Sequence, residues 1–435
     1  MRIERRLRGI GSFVLTNGDR LPSTAFRIDQ SGSGRTFLYC ERSVPLGICA
    51  GFGHLATFQG QTAAGQPVKT RCDPIEYIDS GREFCLILRN VEIGRVGTDR
   101  CSHELSLPNV TFPTDKPNPI ALAVPWGAST VPVSLRPLRN YQARIGHLIK
   151  TRGIVATAAL RFHEADVKGG PIAEFISDLC LAISLVEGTK VNWIYHATYA
   201  PRRVLQHAVF GGTITKAYAT SPLCYAPGAS TAVTPALTAA QEAVPAIRQF
   251  REKFDPHNRL INSWLDARTQ TDYLEGRTLK YAVVIEALNA ITTHGDKTIA
   301  RTVQDSKTWE QLYQEVVRAK PGLENSVSLP NWNRLNDRPF REVLSDVCAC
   351  HRIALPLLDL KLFNSIRNNI VHRLNYDLKI KLPSGWTMPN SPQAGQHYFV
   401  AHFVDRIVLE LFGLRAHLDP VSGPLANCQR DTARK

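Results

Sequence analysis

The chain has 435 residues, with 52 Lys+Arg against 38 Asp+Glu, a formal net charge of +14 and 43% hydrophobic residues. That apolar content excludes a disordered chain, and no run reaches the ~18 consecutive apolar residues that a membrane-spanning helix needs. At ~100–200 residues per domain, two or three domains are expected, and the basic balance points to a polyanionic partner.

Residues 1–150 read as short strands separated by turns. Phe13 to Thr16, Thr36 to Cys40, Ala56 to Gln59, Glu83 to Leu88, Ile120 to Val124 and Val131 to Leu135 are apolar and aromatic runs bounded by Gly, Pro, Asn or Asp. This spacing predicts an antiparallel sandwich or barrel-like sheet. Ser31-Gly32-Ser33-Gly34-Arg35-Thr36 lacks the Gly-Lys-Ser/Thr ending of a phosphate loop and reads as a hairpin turn.

Residues 151–250 read as an α+β subdomain. Ile172 to Val186 has helical spacing and stops at Gly188, strand-like runs follow at Val191 to Tyr199 and Val204 to Phe210, and Pro227 to Pro235 reads as a loop. From 251 to 415 the pattern becomes helical. The expected segments are Leu265 to Ile291, Trp309 to Ala319, Arg338 to Ile353, Pro356 to about Tyr376, and Phe399 to Phe412 with Gly413 as its cap. Residues 416–435 are polar and read as a mobile tail. The fold class is therefore α+β and multidomain, a β-rich N-terminal region followed by an all-α bundle. Residues 251–435 hold 25 Lys+Arg and 20 Asp+Glu, a net of +5, so the larger excess, 27 against 18 or +9, lies in residues 1–250.

Ten cysteines occur without a CxxC pair in a long chain, which reads as reduced thiols in the cytoplasm. Cys348-Ala349-Cys350-His351 has no second pair at zinc-site spacing and sits on a helical pattern, so both cysteines are expected to pack in a core and no metal is expected.

The stretch that carries chemistry is Asn364-Ser365-Ile366-Arg367-Asn368-Asn369-Ile370-Val371-His372. Leu355, Leu358, Leu362, Ile366, Ile370 and Leu374 form the expected core stripe. Asn364, Asn368 and His372 lie opposite it, and Arg367 lies about 140° around the helix from His372 at ~100° per residue. Three arrangements bring the two together: the arginine curls toward the histidine, the helix ends between them, or the same helix of a second subunit completes the site. A histidine with a pKa near ~6.5 exchanges protons with a ribose 2′-hydroxyl or a 5′-oxygen leaving group. An arginine holds the phosphate, and an asparagine orients either group. On spacing alone, a solvated polar face that happens to include a histidine is the favoured reading.

Arg367-Asn368-Asn369-Ile370-Val371-His372 resembles the signature of the HEPN superfamily of helical ribonucleases. A long helix with Leu279-Lys280-Tyr281-Ala282-Val283-Val284-Ile285-Glu286-Ala287-Leu288 precedes it, and Leu409-Glu410-Leu411-Phe412-Gly413 follows. With the β-rich region in front, the chain is similar to the ApeA-like antiphage proteins. The resemblance implies a HEPN bundle over about 255–415, a homodimer through that bundle, and no cofactor. It implies a metal-independent endoribonuclease acting on RNA, plausibly tRNA, in phage defence by growth arrest, set off by a phage-derived trigger. By resemblance Arg367 and His372 are the catalytic pair and Asn368 supports them. Glu286 orients Arg367 or His372, or is a polar residue beside the apolar stripe. Lys361, Arg373, Lys379 and Lys381 are the candidate RNA-binding cations. HEPN toxins paired with nucleotidyltransferases carry a tyrosine two residues after the histidine; here that position is Leu374 and the nearest tyrosine is Tyr376. The alternative is a non-catalytic dimerisation module whose basic N-terminal region binds nucleic acid or protein. No membrane association is expected.

Overall fold

A computed structural model describes residues 3–15, 17–40, 55–71, 76–79, 84–88, 90–95, 101–112, 118–151, 153–211, 237–268, 273–320, 328–388 and 390–417. The expected Pro227–Pro235 loop and residues 418–435 of the expected tail lie outside them. The chain divides into two compact units, 1–247 and 248–435.

The first unit contains strands β1 (Ile3–Leu15), β2 (Thr24–Ser31), β3 (Thr36–Cys40), β4 (Leu55–Thr62), β5 (Pro67–Arg71), β6 (Glu76–Asp79) and β7 (Phe84–Leu88). Strands β8 (Val91–Gly94), β9 (Ser102–Pro108), β10 (Ile120–Trp126) and β11 (Ser129–Pro137) follow. After α1 (Tyr141–Thr151) come β12 (Ala156–His163), α2 (Ile172–Glu187), β13 (Tyr195–Ala200) and β14 (Val204–Phe210). All fourteen strands form one antiparallel sheet in the order β10-β11-β12-β9-β13-β14-β8-β5-β4-β1-β2-β3-β7-β6.

That order corrects the expected division at 150. Strand β12 lies between β11 and β9, and β13 and β14 join β9 to β8, so residues 151–210 complete the sheet begun by residues 1–150 rather than form a subdomain. The sheet curls so that one face encloses a core of Phe13, Phe26, Ile28, Leu38, Phe58, Leu86, Val91, Tyr195 and Phe210. Side chains span this interior: Arg5 Nη2 on β1 donates to Ser106 Oγ on β9 at 2.8 Å, and Gln30 Nε2 on β2 donates to the Ile194 carbonyl at 2.6 Å. A Cβ at Gly9 would collide with the Gln61 carbonyl and the Phe26 ring, which is why β1 carries a glycine there. The Ser31–Thr36 segment is the β2–β3 hairpin turn, with Gly34 at φ +84°. Helix α2 covers the other face, with the Phe175 ring 5.1 Å from Phe162 and 5.4 Å from Trp126, and it ends where Gly188 takes the left-handed conformation at φ +63°. The expected strand at Val191 begins only at Tyr195.

Helices α3 (Ala240–Lys253), α4 (Arg259–Ala267), α5 (Leu274–Gly295), α6 (Ser306–Ala319), α7 (Leu329–Arg334), α8 (Phe340–Cys350), α9 (Leu357–Arg373) and α10 (Pro392–Leu411) follow. The expected Leu265–Ile291 helix is thus two helices, and α3 and α7 were not expected. Helix α10 starts at Pro392 rather than Phe399, because proline is favoured in the first turn, where its missing N–H costs nothing. In the second unit α5 packs on α4, α8, α9 and α10. Tyr281, Val284, Ile285 and Leu288 of α5, Phe363, Ile366 and Ile370 of α9, and Phe403 and Val404 of α10 are buried, each large apolar side chain contributing about 1.5–3 kcal/mol. An inner polar cluster fixes this packing: Asp405 Oδ1 accepts from Trp264 Nε1 at 2.7 Å and Asp405 Oδ2 from Arg268 Nη1 at 2.5 Å. No helix among the described residues is long and apolar enough to cross a membrane.

Candidate active site on helix α9

Helix α9 leaves Pro356 and runs through both Arg367 and His372 to Arg373, which removes the arrangement in which the helix ends between the two. Leu374 then turns the chain with φ +50°. The expected core stripe is corrected in register. Leu358 is 59% and Leu374 63% exposed, and the buried residues of α9 are Leu360, Phe363, Ile366 and Ile370. Each step of four residues drifts by about 40° round the axis, which carries Leu358 about 120° from Ile370 and onto the opposite face, and Leu374 falls beyond the last helical residue. Around the axis, at ~100° per residue, Lys361, Ser365, Asn368 and His372 fall within about 60° of one another on the opposite face. All four are exposed.

Arg367 lies on the flank, and its contacts are specific. Its Nη2 donates to Glu286 Oε1 on α5, its Nη1 donates to Asn368 Oδ1 at 2.8 Å, and its guanidinium sits 4.6 Å from the centroid of the Phe340 ring on α8. The Arg367 side chain is 16% exposed against 41% for Glu286. Its Nε is buried with no acceptor among the described residues. Each terminal nitrogen keeps a second N–H that these bonds leave unused. Arg367, Asn368 and Glu286 are therefore brought together, with Glu286 on the arginine rather than the histidine. Of the two arrangements still open, the curl toward His372 is not the one this chain adopts: the guanidinium turns to Glu286. The His372 imidazole is exposed and makes no hydrogen bond or ion pair among the described residues.

Of the expected cations, Lys361 shares the His372 face, Arg373 closes α9, and Lys379 and Lys381 follow the turn; all are exposed. Tyr376, in contrast, is buried. Its hydroxyl lies 2.6 Å from Thr278 Oγ1 on α5, and Thr278 Oγ1 lies 2.7 Å from His397 Nδ1 on α10. Burial pushes the Tyr376 phenol above its ordinary range and the His397 imidazole down to about 3, with the Arg277 charge adding to the latter. These three residues tie the segment after the motif to α5 and α10. Sequence reading missed Thr278, His397 and Phe340 because none carries a spacing signal of its own.

The Cys348–His351 segment faces differently from expectation in one position. Cys348 is buried, its thiol pushed up to about 12 by burial, and His351 Nε2 lies 2.9 Å from Thr292 Oγ1. Cys350 is exposed, because it falls about 200° round α8 from Cys348, with its Sγ 3.5 Å from Asp296 Oδ2. Among the described residues no three His, Cys, Asp or Glu side chains group closely enough to hold a metal ion.

Neither family models, curated proteins nor solved structures give a match to this chain.

Proposed function

We propose that the second unit is a HEPN-type endoribonuclease that cleaves RNA, plausibly tRNA, by attack of the 2′-hydroxyl on the adjacent phosphate, within a bacterial antiphage response. The observation that carries this reading is Arg367, held on Phe340 by Glu286 and Asn368 beside an exposed helix face that ends in His372. A guanidinium fixed in this way has paid part of the ordering cost of binding phosphate, and its free N–H donors suit the developing charge. His372, exposed and without a partner among the described residues, is open to exchange a proton with the 2′-hydroxyl or the leaving oxygen. Lys361 on the same face and Arg373, Lys379 and Lys381 beyond it supply phosphate contacts. Because Arg367 turns to Glu286 within one chain, this reading takes a homodimer in which two α9 faces meet and bring each arginine toward the other chain's histidine. The test is cleavage of a labelled structured RNA by wild type and by His372→Ala. Cleavage that falls by about 10²-fold or more in the variant supports the reading, and equal cleavage overturns it.

A second reading is a non-catalytic dimerisation module. Its support is that Leu357 and Leu358, 62% and 59% exposed, sit at the start of the same face, which suits a protein contact. Expression separates the two. A nuclease is toxic when overproduced and Arg367→Ala relieves that; toxicity unaffected by the substitution favours the module.

A further inference from the structure

We propose that the outward face of β5, β4, β1 and β2 in the first unit is a docking surface for the phosphate backbone of RNA. This goes beyond the catalytic reading, since a chain that only bound RNA would use the same face.

Side chains alternate along a strand. On β1, Gly9, Gly11 and Phe13 face the core, so Arg6, Arg8, Ile10 and Ser12 face outward. Register then fixes the neighbours. Arg8 stands opposite Arg27 on β2, Ser12 opposite Gln59 on β4, Gln59 opposite Lys69 on β5, and Thr57 opposite Arg71. Arg20 reaches over β1, its Nη2 donating to Gln59 Oε1 at 3.1 Å. Cations thus stand on a grid of about 4.8 Å between strands and about 7 Å between alternate residues.

The acids of this face do not neutralise it. Asp29 is buried and already accepts from Arg6 Nε at 2.7 Å and Arg27 Nε at 3.2 Å. Glu92 stands opposite Lys69 without closing an ion pair, and Asp19 Oδ2 accepts from Asn17 Nδ2. Arg8, Lys69 and Arg71 are exposed, with no acceptor among the described residues. Arg8 stands directly across the strand pair from Arg27, whose charge Asp29 already engages, so Arg8 presents its own charge to solvent. Arg27 is stacked 4.1 Å over the Tyr39 ring, which fixes the plane of its guanidinium beside Arg8.

A single small ion would use one corner of such a grid; a polyanion uses all of it. Gln59, Gln61 and Thr57 lie between the cations and donate hydrogen bonds to phosphate and sugar oxygens. A lipid surface fits less well, because Ile10, 66% exposed, is the apolar side chain offered here, and interfacial binding calls for a broad apolar face.

The test uses the full chain carrying His372→Ala, so that binding is read whether or not the protein cleaves. Affinity for a fluorescein-labelled polyuridine RNA is measured by anisotropy across a salt series. The triple variant Arg8→Gln, Lys69→Gln, Arg71→Gln removes exposed side chains that hold no partner among the described residues, and an unchanged melting temperature checks its fold. The expected result is binding at least about tenfold weaker, with a log–log salt slope shallower by about 2, while Lys150→Gln with Lys168→Gln leaves both unchanged. Equal binding and slope in the triple variant overturn the proposal. So does an equal loss in the lysine control, which would make the effect one of net charge. Loss of binding to phosphatidylserine vesicles with RNA binding intact also overturns it, in favour of a membrane surface.

Discussion

Glu286 on α5 accepts from the Arg367 guanidinium on α9, so the acid of one helix sets where the arginine of the other points. Removing either partner therefore affects more than charge. In the proposed reaction, Arg367→Ala lowers the cleavage rate by about 10²–10³-fold, as expected for loss of one transition-state donor. Arg367→Lys does not restore it, because an ammonium cannot serve Glu286, Asn368 and a phosphate from one plane. Glu286→Gln, which keeps an acceptor but no charge, falls between wild type and Arg367→Ala. Single-turnover rates on one RNA check the order.

Asp405 carries the packing of α4 on α10. Asp405→Ala takes the acceptor from the buried Trp264 indole N–H and removes the Arg268 ion pair, and costs on the order of 3 kcal/mol. Trp264→Phe removes one hydrogen bond and part of the ring, and costs less. Urea midpoints of the second unit's transition, followed by helical circular dichroism, measure both.

Leu374 sits at φ +50° with its side chain 63% exposed. A β-carbon in that region costs ~1–2 kcal/mol that glycine avoids, less the entropy glycine gains when unfolded. Leu374→Gly is expected to be neutral or stabilising by up to about 1 kcal/mol, whereas Leu374→Ala gains nothing. Thermal denaturation distinguishes the two.

Acid weakens the second unit through its buried histidines. His397 is held neutral, its pKa down to about 3 through burial and Arg277, and His351 down to about 4 through burial and Lys253, with Asp296 opposing. Both values lie below the ordinary ~6.5. The unfolded chain therefore binds more protons between these limits, and stability is full above pH ~6.5 and is lost as pH falls toward 4 and 3. The loss is on the order of 1 kcal/mol per histidine per pH unit. His397→Asn flattens part of that slope in urea titrations at pH 7, 5.5 and 4.5; an unchanged slope contradicts the assignment.

Local signals are legible where one residue decides the geometry. Gly188 stops α2, and Gly34 makes the β2–β3 turn. The polar face of α9 was legible because Asn368 and His372 step by four. The core register was not, since apolar residues at steps of four drift by about 40° each time, which carries Leu358 off the buried face, and Leu374 falls beyond the helix. The division at 150 failed for a different reason. Strand partners such as Tyr195 and Ser106 are far apart in the chain, and nothing local encodes which strands become neighbours. The contact of Thr278 with His397, 119 residues apart, is hidden in the same way, whereas the pairing of Glu286 with Arg367 was one of the roles open to that acid.

The central claim concerns bond chemistry at phosphate, and the product ends test it most directly. Wild-type protein is incubated with a defined RNA in EDTA, and the 5′-fragment is analysed by mass spectrometry, with His372→Ala alongside. The account predicts cleavage that survives chelation, a 2′,3′-cyclic phosphate on the fragment, and loss of that product in the variant. A 3′-hydroxyl end, activity abolished by EDTA, or equal product from His372→Ala would contradict it.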